Sequence, residues 1–298
     1  MIQPPKLVEG NKVAIVAPAG KIIENTLDNG VKQIESWRLN ISFGKYLQKG
    51  HHYFSGTDEE RLYDLQSALD NPDIKAIFCA RGGYGVTRIL DAIDFSKFIK
   101  HPKWIIGFSD VTALHFKLHK LGFQSIHSVM PTGFLSANEA STEGLRKILF
   151  GEDNTYVLDN NNTFNRKGEA KAIIIGGNLS LINDSLGTST EVDFDKKILF
   201  IEEIDEYLYK IDRMLVQLKR ANKLTNLAGL IVGHITDTKD TNVPFGKSAN
   251  ELILEHVKGF NYPVAFNIPI GHESLNLAIQ HSGICHLKID DKVTLSFN

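Results

Sequence analysis

The chain is 298 residues long and 42% hydrophobic, enough for two domains or one large one with well-filled cores. Its 33 Lys and Arg against 35 Asp and Glu leave a net charge of -2, and no basic run is present to track a phosphate backbone; this excludes a nucleic-acid partner and leaves a small, weakly charged substrate as the default. The apolar stretches are strand-sized, short of the ~20 residues of a membrane helix, and Met1 to Gly10 holds no basic segment leading into a long apolar one, so the expectation is a cytoplasmic protein with no membrane partner.

Along the first half, short β-rich runs alternate with longer segments whose apolar residues recur at helical spacing, the pattern of a parallel sheet flanked by helices. The spacing predicts strands over 13–17, 74–80, 104–107 and 124–127, and helices over 22–37, 58–69, 86–93 and 111–121. Turn signals follow the strands: Pro18-Ala19-Gly20, then Gly82-Gly83-Tyr84-Gly85, then Ser109-Asp110. Ligands of open parallel sheets bind outside the carboxyl ends of the strands, so these turns are expected to converge on one edge.

The turn from Arg81 to Gly85 follows a strand and precedes a helix, as a phosphate loop does. It lacks both the G-x-G-x-x-G spacing and the Lys-Ser/Thr ending of a P-loop. A non-enzymatic nucleotide- or phosphate-binding module is the reading in which this turn acts alone. Adjacent glycines also present backbone N–H groups at close range, which an oxyanion hole requires. Further on, Ile105-Ile106-Gly107-Phe108-Ser109-Asp110-Val111-Thr112 ends an apolar run on a serine where a helix pattern begins. Ser109 either caps that helix or, pushed out of the sheet by a tight turn, serves as a nucleophile with the next N–H aimed at an oxyanion. Cys79 and Cys285 have no C-x-x-C spacing and read as reduced core thiols.

Between residues 150 and 170 the chain turns polar and rich in Gly, Asp and Asn, which sets the expected boundaries: an α/β domain over 1–150, a linker over 151–168 and a C-terminal domain over 169–298. The latter is mixed, with strands expected over 170–175, 197–201, 230–232, 264–266, 285–289 and 293–297, and helices over 179–186, 204–218 and 248–257. Asp290-Asp291-Lys292 marks a hairpin between the last two strands.

Two acids, Glu202 and Glu203, end the apolar run Leu199-Phe200-Ile201. They either reach a cleft from the end of a buried strand or open the following helix as surface acids facing its N-terminal dipole. Pro269-Ile270-Gly271-His272-Glu273-Ser274 places His272 in a turn-rich segment, as a catalytic group or an exposed loop histidine. His281 and His286 with Glu273 match no common zinc spacing, and no metal is expected. Ser109, Glu202 and His272 supply, in chain order, the nucleophile, acid and base of an acyl-transfer triad.

Seven segments stand in one order along the chain: Val13-Ala14-Ile15-Val16-Ala17-Pro18-Ala19-Gly20; Ala80-Arg81-Gly82-Gly83-Tyr84-Gly85 with Arg88-Ile89-Leu90; Ile106-Gly107-Phe108-Ser109-Asp110-Val111-Thr112-Ala113-Leu114; Gly176-Gly177-Asn178-Leu179; Phe200-Ile201-Glu202-Glu203; Tyr209-Lys210-Ile211-Asp212-Arg213-Met214-Leu215; and Gly271-His272. In these the chain resembles, nearly end to end, the serine L,D-carboxypeptidases of murein recycling, a family that includes the microcin C self-immunity peptidases.

The resemblance implies a flavodoxin-like α/β N-terminal domain and a C-terminal domain built around a small β-barrel, paired as a homodimer, with no metal or organic cofactor. It implies Ser109 as nucleophile, Glu202 as triad acid and His272 as base, with an oxyanion hole from the Asp110 N–H and an N–H of Gly82 or Gly83. The implied reaction releases terminal D-alanine from cytoplasmic murein tetrapeptides; the rival substrate is an aminoacyl-nucleotide antibiotic of the microcin C type. A carboxypeptidase must also hold a terminal carboxylate, for which Arg81 or Arg213 suits by bidentate pairing. Phe108 stands where many relatives have tyrosine, and Gln280-His281-Ser282 precedes Gly283 where relatives commonly have a proline close by. Glu203 adjoins Glu202, so a one-residue slip of strand register would transfer the acid role to it.

Overall fold

The computed structural model describes residues 1–297. They form two compact units, Met1–Asp153 with Ser274–His281, and Asn154–Glu273 with the chain from Ser282 onward. The strands, numbered in chain order, are β1 (Lys12–Val16), β2 (Asn40–Phe43), β3 (Ile74–Cys79), β4 (Trp104–Gly107), β5 (Ser125–His127), β6 (Thr155–Asp159), β7 (Gly168–Asn178), β8 (Ile198–Ile204), β9 (Gly229–Thr236), β10 (Val264–Ala265), β11 (Ile279–His281), β12 (Ile284–Ile289) and β13 (Lys292–Phe297).

The first unit is a six-stranded sheet in the order β11-β5-β4-β3-β1-β2. β2, β1, β3, β4 and β5 run parallel in the flavodoxin-like order, and β11 adds one antiparallel edge strand. Strands covered on both faces must be apolar throughout, and accordingly every residue of β4, and all of β3 but Lys75, is buried. Trp104, Phe78, Ile106 and Ile15 centre the core.

Three local departures from the sequence pattern have physical causes. The helix expected from residue 22 begins at Asp28 (Asp28–Ser36), because Asn25 takes a left-handed φ of 64° and holds the preceding residues as a loop. β2 has no strand signature in the sequence because Asn40-Ile41-Ser42-Phe43 is a half-exposed edge strand with no apolar run. Residues 151–168, read as a linker, contain β6, whose Tyr156 and Leu158 alternate inward against β13 while Thr155, Val157 and Asp159 face out.

Lys103 shows how the first unit closes a helix end. The last carbonyls of a helix have no partner within it. Buried to 1% exposure, the Lys103 ammonium donates to Ala68 O (3.1 Å), Leu69 O (2.8 Å) and Asn71 O (2.6 Å) at the end of the helix Asp58–Asp70. Lys103→Met takes this donor from the Ala68 and Leu69 carbonyls and leaves Asn71 O only the Ile74 N–H, and urea titration is expected to show a loss of about 1–3 kcal/mol. A variant as stable as the wild type would remove this role from the ammonium.

The second unit is a seven-stranded mixed sheet, β10-β9-β8-β7-β12-β13-β6. β7, β8, β9 and β10 are parallel; β12, β13 and β6 continue from β7 as an antiparallel meander, with the expected hairpin at Asp290-Asp291. One antiparallel bridge, Arg166 with Val264, links β10 back to the residues just before β7, so the sheet curls on itself where a small barrel was expected. The helices Leu179–Asp184, Leu208–Arg220 and Ala249–Val257 complete the unit. Among the described residues no helix is long and apolar enough to cross a membrane.

Candidate active site

In the first unit the chain leaves β4 through Phe108 and turns at Ser109, whose φ of 61° is left-handed. A short 3-10 turn, Ser109–Val111, leads into the helix Thr112–Lys120. Neither helical segment has a side-chain cap, so the hydroxyl does not serve as the helix cap that local sequence favours. A non-glycine residue in this region costs about 1 kcal/mol or more, and such strain persists where the surroundings impose it. Here they do: Gly107 is pressed against Val111, where a Cβ would stand 2.9 Å from Cγ2.

The glycine turn after β3 comes up to this serine. A Cβ on Gly82 would lie 2.9 Å from Ser109 Cβ and 3.1 Å from its Oγ, so glycine is what permits the approach. Gly83 has a φ of 106° and packs under the Tyr53 hydroxyl. Asp110, buried to 1%, ties the two turns together: its Oδ2 accepts from the Val86 N–H at 2.8 Å, at the start of the helix that follows the glycines. The sequence pointed only to the Asp110 backbone N–H; the bracing carboxylate had no signal beyond its neighbour.

A buried histidine steadies the strand end. His115 Nε2 donates to Gly107 O (2.9 Å), which leaves Nδ1 to accept from Ser125 Oγ (2.8 Å), and its ring stacks on His281 at 5.1 Å. Burial pushes its pKa down to about 4, so it works as a neutral strut. Phe108 packs edge-on against His127.

Gly82→Ala tests this packing. Gly82 is not among the positive-φ glycines, so alanine fits the backbone but not the space beside Ser109. With the melting temperature close to wild type, any turnover that depends on Ser109 together with an N–H of this turn is expected to fall about a hundredfold; an unchanged rate would mean that the turn takes no part.

In the second unit β8 carries both acids, and both are buried, so neither is a surface acid opening a helix. Glu202 has 0% exposure, and His272 Nδ1 lies 2.7 Å from its Oε2. Two glycines make that meeting possible. At Gly233, in a bulge of β9, a Cβ would stand 2.4 Å from Ile270 O; the next residue, His234, donates its N–H to that same carbonyl at 2.8 Å. Gly271, at φ 125°, lies against Glu202, where a Cβ would be 3.0 Å from the glutamate Cβ. The segment preceding His272 is thereby held to the strand that carries the acid. Burial pulls the His272 imidazolium down, but the charge and hydrogen bond of Glu202, with Glu203 behind, leave its pKa raised above the ordinary 6.5.

Glu203 faces other partners. It accepts from Ser180 N (2.8 Å), Ser180 Oγ (2.6 Å), Asn178 Nδ2 (2.8 Å) and Ile204 N (2.9 Å), and burial raises its pKa. The acid that holds His272 is therefore Glu202, and the neighbour fastens the start of the helix Leu179–Asp184.

Of the two arginines, Arg81 lines a cavity in the first unit, whereas Arg213 is exposed on the helix Leu208–Arg220 with its guanidinium over Tyr209. His286 Nε2 lies 2.6 Å from Glu169 Oε1, while His281 is in the His115 stack. Cys79 and Cys285 are buried free thiols, and burial pushes both up to about 12, so neither is a thiolate nucleophile.

A flavodoxin-like unit bearing a strained serine beside a glycine turn, with a second unit holding a buried carboxylate against a histidine, has the parts of a hydrolase. The family comparisons go further. Residues 13–128 match the LD-carboxypeptidase N-terminal domain and residues 171–287 the LD-carboxypeptidase C-terminal domain. The chain is 35% identical over 282 residues to a probable murein peptide carboxypeptidase of Bacillus subtilis, covering 93% of this chain and 88% of that one. It is 30% identical over 279 residues to the murein tetrapeptide carboxypeptidase of Pseudomonas aeruginosa, covering 90% of each. The crystal structure of muramoyltetrapeptide carboxypeptidase from Oxalobacter formigenes superposes with a TM-score of 0.87 at 27% identity, over 96% of this chain and 98% of that one. The microcin C7 self immunity protein MccF, in complex with aspartyl sulfamoyl adenosine, shares the fold with a TM-score of 0.87 at 21% identity, over 100% of this chain and 99% of that one. The chain is a peptidase of the carboxypeptidase class, and it belongs to the LD-carboxypeptidase family. That membership replaces the reading as a non-enzymatic phosphate-binding module, and the glycine turn packs against Ser109 rather than standing alone.

Proposed function

We propose that this chain is a serine-type L,D-carboxypeptidase of murein recycling, which hydrolyses the bond between the L-centre of a diamino acid and the terminal D-alanine of murein tetrapeptides. In this reading His272 takes the Ser109 proton as the serine attacks the L,D-peptide carbonyl, and Glu202 fixes the imidazole tautomer and stabilises the imidazolium. The oxyanion is held by the Asp110 N–H and an N–H of the Gly82-Gly83 turn. His272 then returns its proton to the departing D-alanine nitrogen, and water activated by the same imidazole hydrolyses the acyl-enzyme.

The observation that carries the reading is the hydrogen bond from His272 to a Glu202 carboxylate with 0% exposure. With Nδ1–H held there, Nε2 carries the lone pair that a general base needs. The substrate class is supported by the Pseudomonas aeruginosa murein tetrapeptide carboxypeptidase, 30% identical across 90% of each chain. The direct test incubates the purified protein with a murein tetrapeptide and, separately, with an aminoacyl sulfamoyl adenosine. Free D-alanine with its matching tripeptide is the expected result; cleavage of the nucleoside compound alone would replace this substrate with the immunity-type one.

A further inference from the structure

The first unit contains a cavity of about 770 Å³ that the catalytic roles above leave unused. It opens where the strand order reverses. Its walls are the loop from Gly20 to Asp28, which follows β1, and Arg81, which follows β3, with Tyr53 and Gln48 alongside. In doubly wound sheets that crevice is where ligands bind. It also adjoins the oxyanion turn, because the Gly20 N–H donates to Gly82 O at 3.1 Å and Gly82 packs on Ser109.

Four charged side chains line the cavity: Lys21 and Arg81 of one sign, Glu24 and Asp28 of the other. Among the described residues none of the four makes an ion pair. The Arg81 guanidinium and the Lys21 backbone are nevertheless held in place. Arg81 donates to Lys21 O at 2.6 Å and lies across the Gly20 backbone, where a Cβ would stand 3.4 Å from its Nε. The Lys21 backbone N–H donates to Tyr53 O at 2.9 Å, and the exposed side chain runs over Gly50, where a Cβ would meet Cε at 2.8 Å. Two neighbouring cations alone would suit any small anion. The two acids on the same wall repel a purely anionic ligand and favour one that carries both signs.

We propose that this cavity binds an amino-acid zwitterion, with Arg81 and Lys21 on its carboxylate and Glu24 and Asp28 on its ammonium. The inference rests on the carboxypeptidase reading only for the source of the ligand. That source is either the side chain of a diamino dicarboxylic acid in the substrate or the D-alanine that the reaction releases.

The test is calorimetric titration of the full chain with free meso-diaminopimelate and with D-alanine, using glutarate and cadaverine as probes of a single sign. One of the zwitterions is expected to bind more tightly than either single-sign probe. Lys21→Met and Glu24→Gln, checked for folding by their melting temperatures, each weaken it about tenfold. Binding of diaminopimelate assigns the cavity to the substrate side chain, and binding of D-alanine assigns it to the product. Absence of binding by both zwitterions, tighter binding of glutarate, or affinity that neither substitution changes overturns the proposal. D-Alanine release, measured in parallel, separates the two readings. A protein that binds a zwitterion here but releases no D-alanine keeps the cavity and loses the carboxypeptidase, whereas one that releases D-alanine and binds neither zwitterion loses the cavity alone.

Discussion

Ser109→Ala is expected to lower kcat for D-alanine release by about 10⁶-fold, to the residual level that oxyanion contacts and substrate positioning sustain by themselves. The size of the effect follows from the step removed in the proposed mechanism, in which without the hydroxyl no acyl-enzyme forms and Glu202 and His272 have no nucleophile to activate. Turnover in Ser109→Ala within about tenfold of the wild type would end the serine mechanism. The left-handed φ of 61° adds a second readout that a surface serine would not give. Alanine inherits the strain, whereas glycine relieves it, so Ser109→Gly is expected to be equally inactive yet about 1 kcal/mol more stable than Ser109→Ala. Thermal or urea unfolding of the pair measures that difference directly. Equal stabilities would mean that the turn is relaxed, and that strain plays no part in presenting the hydroxyl.

Much of the first unit could be read in the sequence because a parallel sheet buried on both faces writes itself as apolar runs. β3 and β4 are such runs, and the turns after them, Gly82-Gly83 and Ser109-Asp110, are punctuated by residues with few other uses. Elements without that signature are not legible in the sequence. β2 and β6 are half-exposed, and β11 belongs to a segment that returns to the first unit from far along the chain, a long-range pairing that local spacing does not encode. At the candidate site, residue types were legible and their supports were not. Gly233 matters because Ile270 O approaches it, and Asp110 because Val86 lies across from its carboxylate; both are facts of tertiary packing. The pair Glu202-Glu203 could not be resolved by sequence, since alternation sends one to each face of β8 and only the partners on each face tell them apart.

Those partners predict opposite consequences for the two glutamates. Glu202→Gln keeps the size of the side chain but loses the charge proposed to stabilise the imidazolium, and presents an amide that can hold the wrong tautomer. A fall in kcat of about 10⁴-fold is expected, the size seen when a triad carboxylate becomes an amide. The pH profile gives the sign. The proposed base works only when neutral, so kcat/KM is expected to rise with pH through the pKa of His272, which the neighbouring Glu202 holds above 6.5. Burial alone pulls that pKa down, so in Glu202→Gln the acid limb of the residual activity moves below 6.5. Glu203→Gln should leave the rate nearly intact, with only a slight downward shift of the limb. It turns an amide N–H₂ toward donors from Ser180, Asn178 and Ile204, however, which costs about 1–3 kcal/mol of stability in urea titration. The reverse pattern, an inactive Glu203→Gln beside an active Glu202→Gln, would move the acid role one residue along β8 and leave the His272–Glu202 hydrogen bond as a structural contact only.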